Sequence, residues 1–500
     1  MKHPLTIAMA LFIGCGTAEK EPRWQAITRE MMEAQPVPFA PSVATVASAR
    51  VVEPPRPNIV LIMVDDLGFG DLADYGSEAI QTPHLDALWE NGVAFYQYYA
   101  GCTVCAPSRS VLMTGMHAGQ TPVRLNSGGV PLRDEDFTLA ELFKKAGYAT
   151  GGFGKWGLGD LGTEGVPEKQ GFDEFFGYYH QVHAHDFYPP YLIDTGRKVQ
   201  LPGNEGFDYR RRAAGFIPAE ENGKQRQYAH YEITKRTLEF IRKNKDRRFF
   251  CYAPWTPPHG KYHLPKDDPA VSLYLDNDWP VRAKVAAAMI TMIDRQVGEL
   301  VALLRELQLE KNTLVLFTSD NGPAFRFEGS LDSAGRYREA KRSLYEGGIR
   351  VPLIASWPGT IPRDIATGEI HYAGDFMATF AQLTGTEEHV PAGCHSVPMV
   401  EAMKGARYPH RPRHKYLYWE WQRPDGSLMQ AVRSGGKKIV RHATDAPWEY
   451  YDLAFDPEET KNDAAKQPRL VDRMIGFAKE AHQPMRPQKE PDKPSGRRYR

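Results

Sequence analysis

Two unbroken apolar runs constrain this chain more than anything else in its 500 residues. Asn58-Ile59-Val60-Leu61-Ile62-Met63-Val64 shows no polar alternation, and Thr313-Leu314-Val315-Leu316-Phe317-Thr318 behaves alike. A strand with one wet face alternates; a continuous run of this length suits a strand buried on both faces, as in a parallel sheet. Helical patterns lie between the two runs. One begins at Thr138, passes through Leu139, Leu142 and Phe143, and stops at Gly147. A longer one runs from Val281 to Leu307 with Ile290, Ile293, Val297, Leu300, Val301 and Leu304 on one face. Tyr148 to Phe153 and Phe249 to Ala253 read as further strands. Strands alternating with helices predict an α/β fold with a mostly parallel sheet flanked by helices.

The texture changes near residue 385. Lys415 to Trp421, Leu428 to Ser434, Lys437 to His442 and Glu449 to Leu453 read as short strands, with turns at Pro424-Asp425-Gly426 and Gly435-Gly436. With an amphipathic helix around Arg469 to Ala481, they predict a small C-terminal antiparallel-sheet domain over 386–482, after a main domain over 56–385. Residues 483–500 form a basic, proline-rich tail. Residues 16–55, rich in Ala, Pro, Val and Glu, read as a tether. Residues 1–15 carry a short basic start and an apolar stretch from Leu5 to Ile13, the pattern of a secretory signal. Leu11-Phe12-Ile13-Gly14-Cys15 resembles a bacterial lipobox, with Phe12 where leucine is usual. The expectation is a protein secreted across the inner membrane, either free in the periplasm after ordinary cleavage or anchored to the outer membrane by a lipid on Cys15. No long apolar run predicts a membrane-spanning helix. The 62 basic residues balance 62 acidic ones, so no global field favours nucleic acid as a partner. Five cysteines are too few for a disulfide scaffold.

Ligands of open α/β sheets sit outside the carboxyl ends of the strands. The two apolar runs deliver Asp65, Asp66, Asp320 and Asn321 to that edge. Carboxylates crowded there repel unless a cation lies among them, and all-oxygen donors suit a hard ion such as calcium or magnesium. Asp-Asp and Asp-Asn-Gly also serve as ordinary strand-ending turns. Cys105-Ala106-Pro107-Ser108-Arg109 then places a thiol at a helix N-terminus, with Pro107 in the first turn and Gly115 as the stop. Free N–H groups and the helix dipole favour an anion there, and Arg109, one turn on, can fork onto it. A thiolate nucleophile and a buried structural cysteine both fit these residues. Cys102-x-x-Cys105 mimics a redox pair, without the surrounding pattern such pairs have.

Cys105-x-Pro107-Ser108-Arg109 followed by Leu112-x-Thr114-Gly115 resembles the signature of the type I sulfatases, the arylsulfatase-like family. Pro57-Asn58-Ile59 through Asp65-Asp66 with Gly68-Gly70-Asp71, Gly154-Lys155-Trp156, Asp320-Asn321-Gly322, Lys341 with Glu346-Gly347-Gly348-Ile349-Arg350-Val351-Pro352, and Tyr451-Asp452-Leu453 are similar to further motifs of that family, in the expected order over about residues 56–460. The resemblance implies an alkaline-phosphatase-like fold with a small C-terminal domain, and a hydrolase of sulfate esters. It implies that a maturation enzyme oxidises Cys105 to formylglycine, whose hydrated aldehyde is the nucleophile. It implies one calcium ion on Asp65, Asp66, Asp320 and Asn321, with residue 105 beside the metal. Arg109 would steady the nucleophile, Lys155 and Lys341 would contact sulfate oxygens, and His259 would stand near the leaving oxygen.

The family usually reads G-K-W-H-L-G, and its histidine contacts the nucleophile; here the segment is Gly154-Lys155-Trp156-Gly157-Leu158-Gly159. Glycine moves no proton, so another group must take that role. His180, His183 and His185 lie close together in the sequence. His183 and His185, two apart, would share a face of an extended segment, and either is the expected substitute. Aromatics crowding Phe172 to Tyr191 and Tyr416 to Trp421 either stack on a sulfated glycan or aryl substrate or belong to the core. Rival readings are a phosphoesterase or phosphonate monoester hydrolase of the same fold, and a non-catalytic glycan-binding relative.

Overall fold

The structure, a computed structural model, describes residues 56–127, 130–405 and 413–487. The signal, the tether and the tail beyond residue 487 lie outside the described residues.

A ten-stranded sheet runs through the molecule in the order Ile365–Thr367, Gly92–Phe95, Leu353–Ser356, Thr313–Ser319, Asn58–Val64, Phe249–Ala253, Ala149–Lys155, Glu174–Tyr178, Tyr191–Asp194, Arg197–Gln200. The five central strands, from Thr313–Ser319 to Glu174–Tyr178, are mutually parallel. Antiparallel pairings begin outside them, at Leu353–Ser356 and Tyr191–Asp194. The mostly parallel sheet expected from the apolar runs is present, with Asn58–Val64 near its middle.

Side chains of that strand alternate between two cores. Ile59, Leu61 and Met63 face one, and Val60, Ile62 and Val64 face the other. Each is 0–1% exposed, so each contributes about 1.5–3 kcal/mol of burial. Helices Cys105–Thr114, Leu139–Lys145 and Phe376–Thr384 pack on the first face; Pro83–Glu90, Ala229–Lys243 and Val281–Glu306 pack on the second. Thr138 caps its helix in a reciprocal box with Glu141, as a Thr-x-x-Glu start demands.

The C-terminal strands Leu417–Gln422, Leu428–Ser434, Lys437–Arg441 and Glu449–Asp452 form a separate antiparallel sheet. Its Tyr418, Val432, Ile439 and Tyr450 face the helix Pro468–Ala481. Its opposite face, with Leu417, Trp419, Met429, Ala431 and Val440, continues the core of the large sheet. Trp419 is fully buried and its Nε1 donates to the Ala100 carbonyl at 2.9 Å, five residues before Cys105. The small sheet is thereby fixed to the segment that leads into the cysteine helix.

Candidate active site

The five parallel strands all release their chain at one edge, and chemistry collects there. Thr313–Ser319 delivers Asp320 and Asn321, Asn58–Val64 delivers Asp65 and Asp66, and Ala149–Lys155 ends in Lys155. Phe249–Ala253 leads to the loop holding His259, and Glu174–Tyr178 leads to Gln181 and His185. Val64 pairs with Ser319, which sets Asp65 beside Asp320. Asp66 adopts a left-handed φ of 68°, and its N–H donates to Asp320 Oδ1 at 3.3 Å.

Cys105 opens the helix Cys105–Thr114, and Gly115 closes it at φ 70°. Its Sγ lies 3.3 Å from Asp65 Oδ1 and 3.1 Å from Lys341 Nζ. Arg109, one turn along, is 0% exposed and engages all three nitrogens of its fork: Nε and Nη2 donate to Asp320 Oδ2 at 3.0 and 2.8 Å, and Nη1 donates to the Lys155 carbonyl at 2.6 Å. Lys155 Nζ reaches Asp65 Oδ2 at 2.5 Å, and Lys341 Nζ pairs with Asp66 Oδ1. His259 Nε2 stands 3.6 Å from Asp66 Oδ2. Asp65, Asp66, Cys105 and His259 lie close enough to share one ion.

The electrostatics show how strained this grouping is. Burial opposes ionisation of Asp65, but Lys155, with His259, Arg109 and Lys341, outweighs it and holds the carboxyl well below its ordinary range. Asp320 is pushed up to about 6, by burial first and then by the charge of Asp65. Burial, aided by Asp65, pushes the Cys105 thiol up to about 12, which disfavours a free thiolate despite the helix N-terminus. Asn321 Nδ2 donates to Asp66 Oδ1 at 2.7 Å, whereas its Oδ1 is buried without a donor. A buried amide oxygen without a donor, on a residue bonded to Asp66, together with the buried carboxyls suits a hard cation.

The three histidines separate. The expected extended segment is corrected: His183–His185 is a single 3₁₀ turn, which breaks the two-residue periodicity and turns the rings apart. His183 is buried between Tyr178 and Tyr191. His185 stacks on His259 with ring centroids 4.5 Å apart and planes at 21°. Burial lowers both rings of that pair; it takes His259 to about 4 against the opposing charge of Asp65 and Asp66. The aromatics of the two crowded stretches are mainly core: Phe172, Phe175, Tyr178, Tyr179, Trp419 and Trp421 are buried. Sequence reasoning missed Gln181 and Asn126. Gln181 lies against Gly157, and Asn126 Oδ1 accepts from the N–H of Ala106. The missing side chain at Gly157 was the one signal that something else must fill that wall.

Comparison with known proteins identifies the family. The family model "Sulfatase" matches residues 57–386, and the model "N-sulphoglucosamine sulphohydrolase, C-terminal" matches residues 336–475. The chain is 32% identical to N-acetylgalactosamine-6-sulfatase of Sus scrofa over 411 residues, 76% of this chain and 75% of that one. It is 29% identical to N-acetylgalactosamine-6-O-sulfatase of Bacteroides thetaiotaomicron over 492 residues, 83% of this chain and 91% of that one. The crystal structure of Ps i-CgsB in complex with k-i-k-neocarrahexaose superposes with a TM-score of 0.71 at 26% identity, covering 86% of this chain and 94% of that one. The chain belongs to the type I sulfatases, and it is a sulfuric ester hydrolase.

Proposed function

We propose that residue 105 acts as the nucleophile after oxidation of its thiol to formylglycine, beside one calcium ion held by Asp65, Asp66, Asp320 and Asn321. The observation that carries this reading is the buried Oδ1 of Asn321, which has no donor, on a residue that bonds Asp66, with Asp65, Asp66 and Asp320 buried and Cys105 beside Asp65. Bound there, calcium would offset the carboxylate charge and the hydrated aldehyde would supply a hydroxyl nucleophile at neutral pH. Arg109 fixes Asp320 and the Lys155 carbonyl, so it orients the ligand set. Lys155 and Lys341 are placed to exchange their carboxylate contacts for sulfate oxygens and to neutralise charge as it grows.

His259 is the candidate donor to the leaving oxygen, with Lys341 as its neighbour. An arriving sulfate anion raises the ring that burial holds neutral. His185, stacked on His259, is the candidate acceptor for the hydroxyl proton of residue 105; His183 is turned away from that place. The named activities of the curated relatives and the oligosaccharide in the Ps i-CgsB complex support a sulfated glycan as substrate. The partners would then be that glycan and an enzyme that matures Cys105. The signal-like start supports secretion, with Cys15 as the possible lipid attachment point.

Inorganic sulfate released from nitrophenyl sulfate, with and without a calcium chelator, tests the reading alongside the mass of the peptide containing residue 105. We expect release by chelator-sensitive, oxidised protein and none by Cys105→Ala. Preferential turnover of nitrophenyl phosphate, or full activity with an unmodified thiol, overturns it.

A further inference from the structure

We propose that Gln181 is a positioning residue: its carboxamide oxygen accepts a hydrogen bond from a hydroxyl that residue 105 carries in the mature enzyme, and Gly157 lacks a side chain so that Gln181 can reach this place. The inference rests on the reading of residue 105 given above.

Gln181 follows the strand Glu174–Tyr178 and is 1% exposed. Its Nε2 donates at 3.2 Å to Asn126 Oδ1, which itself accepts from the Ala106 N–H at 3.0 Å. That link ties Gln181 to the first turn of the cysteine helix, and it fixes the amide. With the group flipped, two carbonyl oxygens would face each other. Oε1 is therefore directed to the other side, toward Gly157 and the stem of Arg109. A Cβ on Gly157 would stand 2.8 Å from Oε1 and 3.7 Å from Arg109 Cδ, at a backbone φ of 78°. Gln181 thus fills the space that a side chain at 157 would enter.

Oε1 is buried and has no donor. An unpaired buried carbonyl costs about 1–3 kcal/mol, so a donor is expected in the working enzyme. Two neighbouring groups already bond elsewhere. The Gly157 N–H donates to the Tyr179 carbonyl at 3.0 Å, and the Arg109 fork is held by Asp320 and the Lys155 carbonyl. The Cys105 thiol faces Asp65 and Lys341. A hydrated aldehyde at residue 105 carries two hydroxyls where the thiol has one sulfur, and the second needs an acceptor. Gln181 is anchored to the turn that carries residue 105, so it follows that residue and not the substrate. An amide does not titrate, so its contribution is orientation and not proton transfer.

The test uses the full, calcium-loaded chain with residue 105 shown by mass to be fully converted. Gln181→Met keeps the length and removes the acceptor, Gln181→Glu keeps an oxygen at the same place, and Gly157→Ala displaces the amide. We expect Gln181→Met and Gly157→Ala each to lower kcat about 10–100-fold, the range for outer partners that orient a reacting group. KM for nitrophenyl sulfate stays within about threefold, and the double variant is no slower than the worse single because both act through one contact. The pH profile keeps its shape, Gln181→Glu recovers more kcat than Gln181→Met, and calorimetric binding of inorganic sulfate and of calcium is unchanged. A kcat for Gln181→Met within about twofold of the parent, a loss confined to KM, or a multiplicative double variant overturns the proposal. An active parent with an indifferent Gln181→Met sinks this inference alone; a parent that releases no sulfate sinks the functional reading with it.

Discussion

At the scale of the residue, Arg109 is the most exacting group in the molecule. It is completely buried, and it is held by Asp320, Asp65 and the Lys155 carbonyl. Replacing it with methionine leaves buried carboxylates uncompensated, so Arg109→Met should lose about 3–5 kcal/mol in urea unfolding. Arg109→Lys retains the charge but not the planar fork, and should recover stability more than sulfate release. Equal losses in both measurements would count against a separate orienting role. Part of the group was legible in the residues themselves, because Asp65 and Asp320 stand where apolar runs stop and Cys105 stands where Pro107 starts a helix; Lys155 was legible only through the resemblance of Gly154-Lys155-Trp156 to a family motif. Gln181 was not legible. A glutamine in an aromatic loop carries no spacing, and only the vacancy at Gly157, seen in three dimensions, gives it meaning.

At the scale of the element, the strand Ala149–Lys155 is built to deliver Lys155 at close range. Gly154, at φ 139°, would carry a Cβ 2.0 Å from the Pro254 carbonyl, just past the adjacent strand Phe249–Ala253. Gly154→Ala should therefore cost about 1–3 kcal/mol by overpacking, and lower sulfate release as Lys155 shifts; thermal melting and turnover measure the two effects. Trp419 acts from the other side. Trp419→Ala should cost about 3–5 kcal/mol, and because the indole also donates to Ala100, limited proteolysis should cut the 100–105 segment sooner than in the parent. Periodicity predicted the central strands because both of their faces are apolar. It gave no sign of Arg197–Gln200, whose four residues are exposed and polar but for Val199, so pairing at the sheet edge and not burial makes it a strand. The His183–His185 turn escaped prediction for a related reason: two histidines spaced by alanine fit a strand and a tight turn equally well.

At the scale of the whole molecule, three buried histidines outside the active site lose stability to acid, opposed by buried carboxyls such as Asp71 and Asp186 that burial pushes up to about 7. Burial holds His117 and His183 down at about 3 and His230 at about 4. In the unfolded chain each would titrate near 6.5. Above that value neither state binds these protons; below it the unfolded state binds more, so the histidine contribution to stability falls progressively between about pH 6.5 and pH 3. The carboxyls act the other way in the same window, so the histidine share is read from the difference in melting temperature between parent and variant. His230→Gln, which can keep a hydrogen bond to Gln296, should gain melting temperature relative to the parent as pH falls from about 6.5 to about 4.

The pairing of Val64 with Ser319 also has a consequence for biosynthesis. The thiol of Cys105 leaves the ribosome long before Asp320, and the pocket that covers it is not complete until both strands have docked. At translation speeds of about 5–20 residues per second, the delay is roughly 10–40 s. During that interval the cysteine is open to attack by another protein, and afterwards it is sealed.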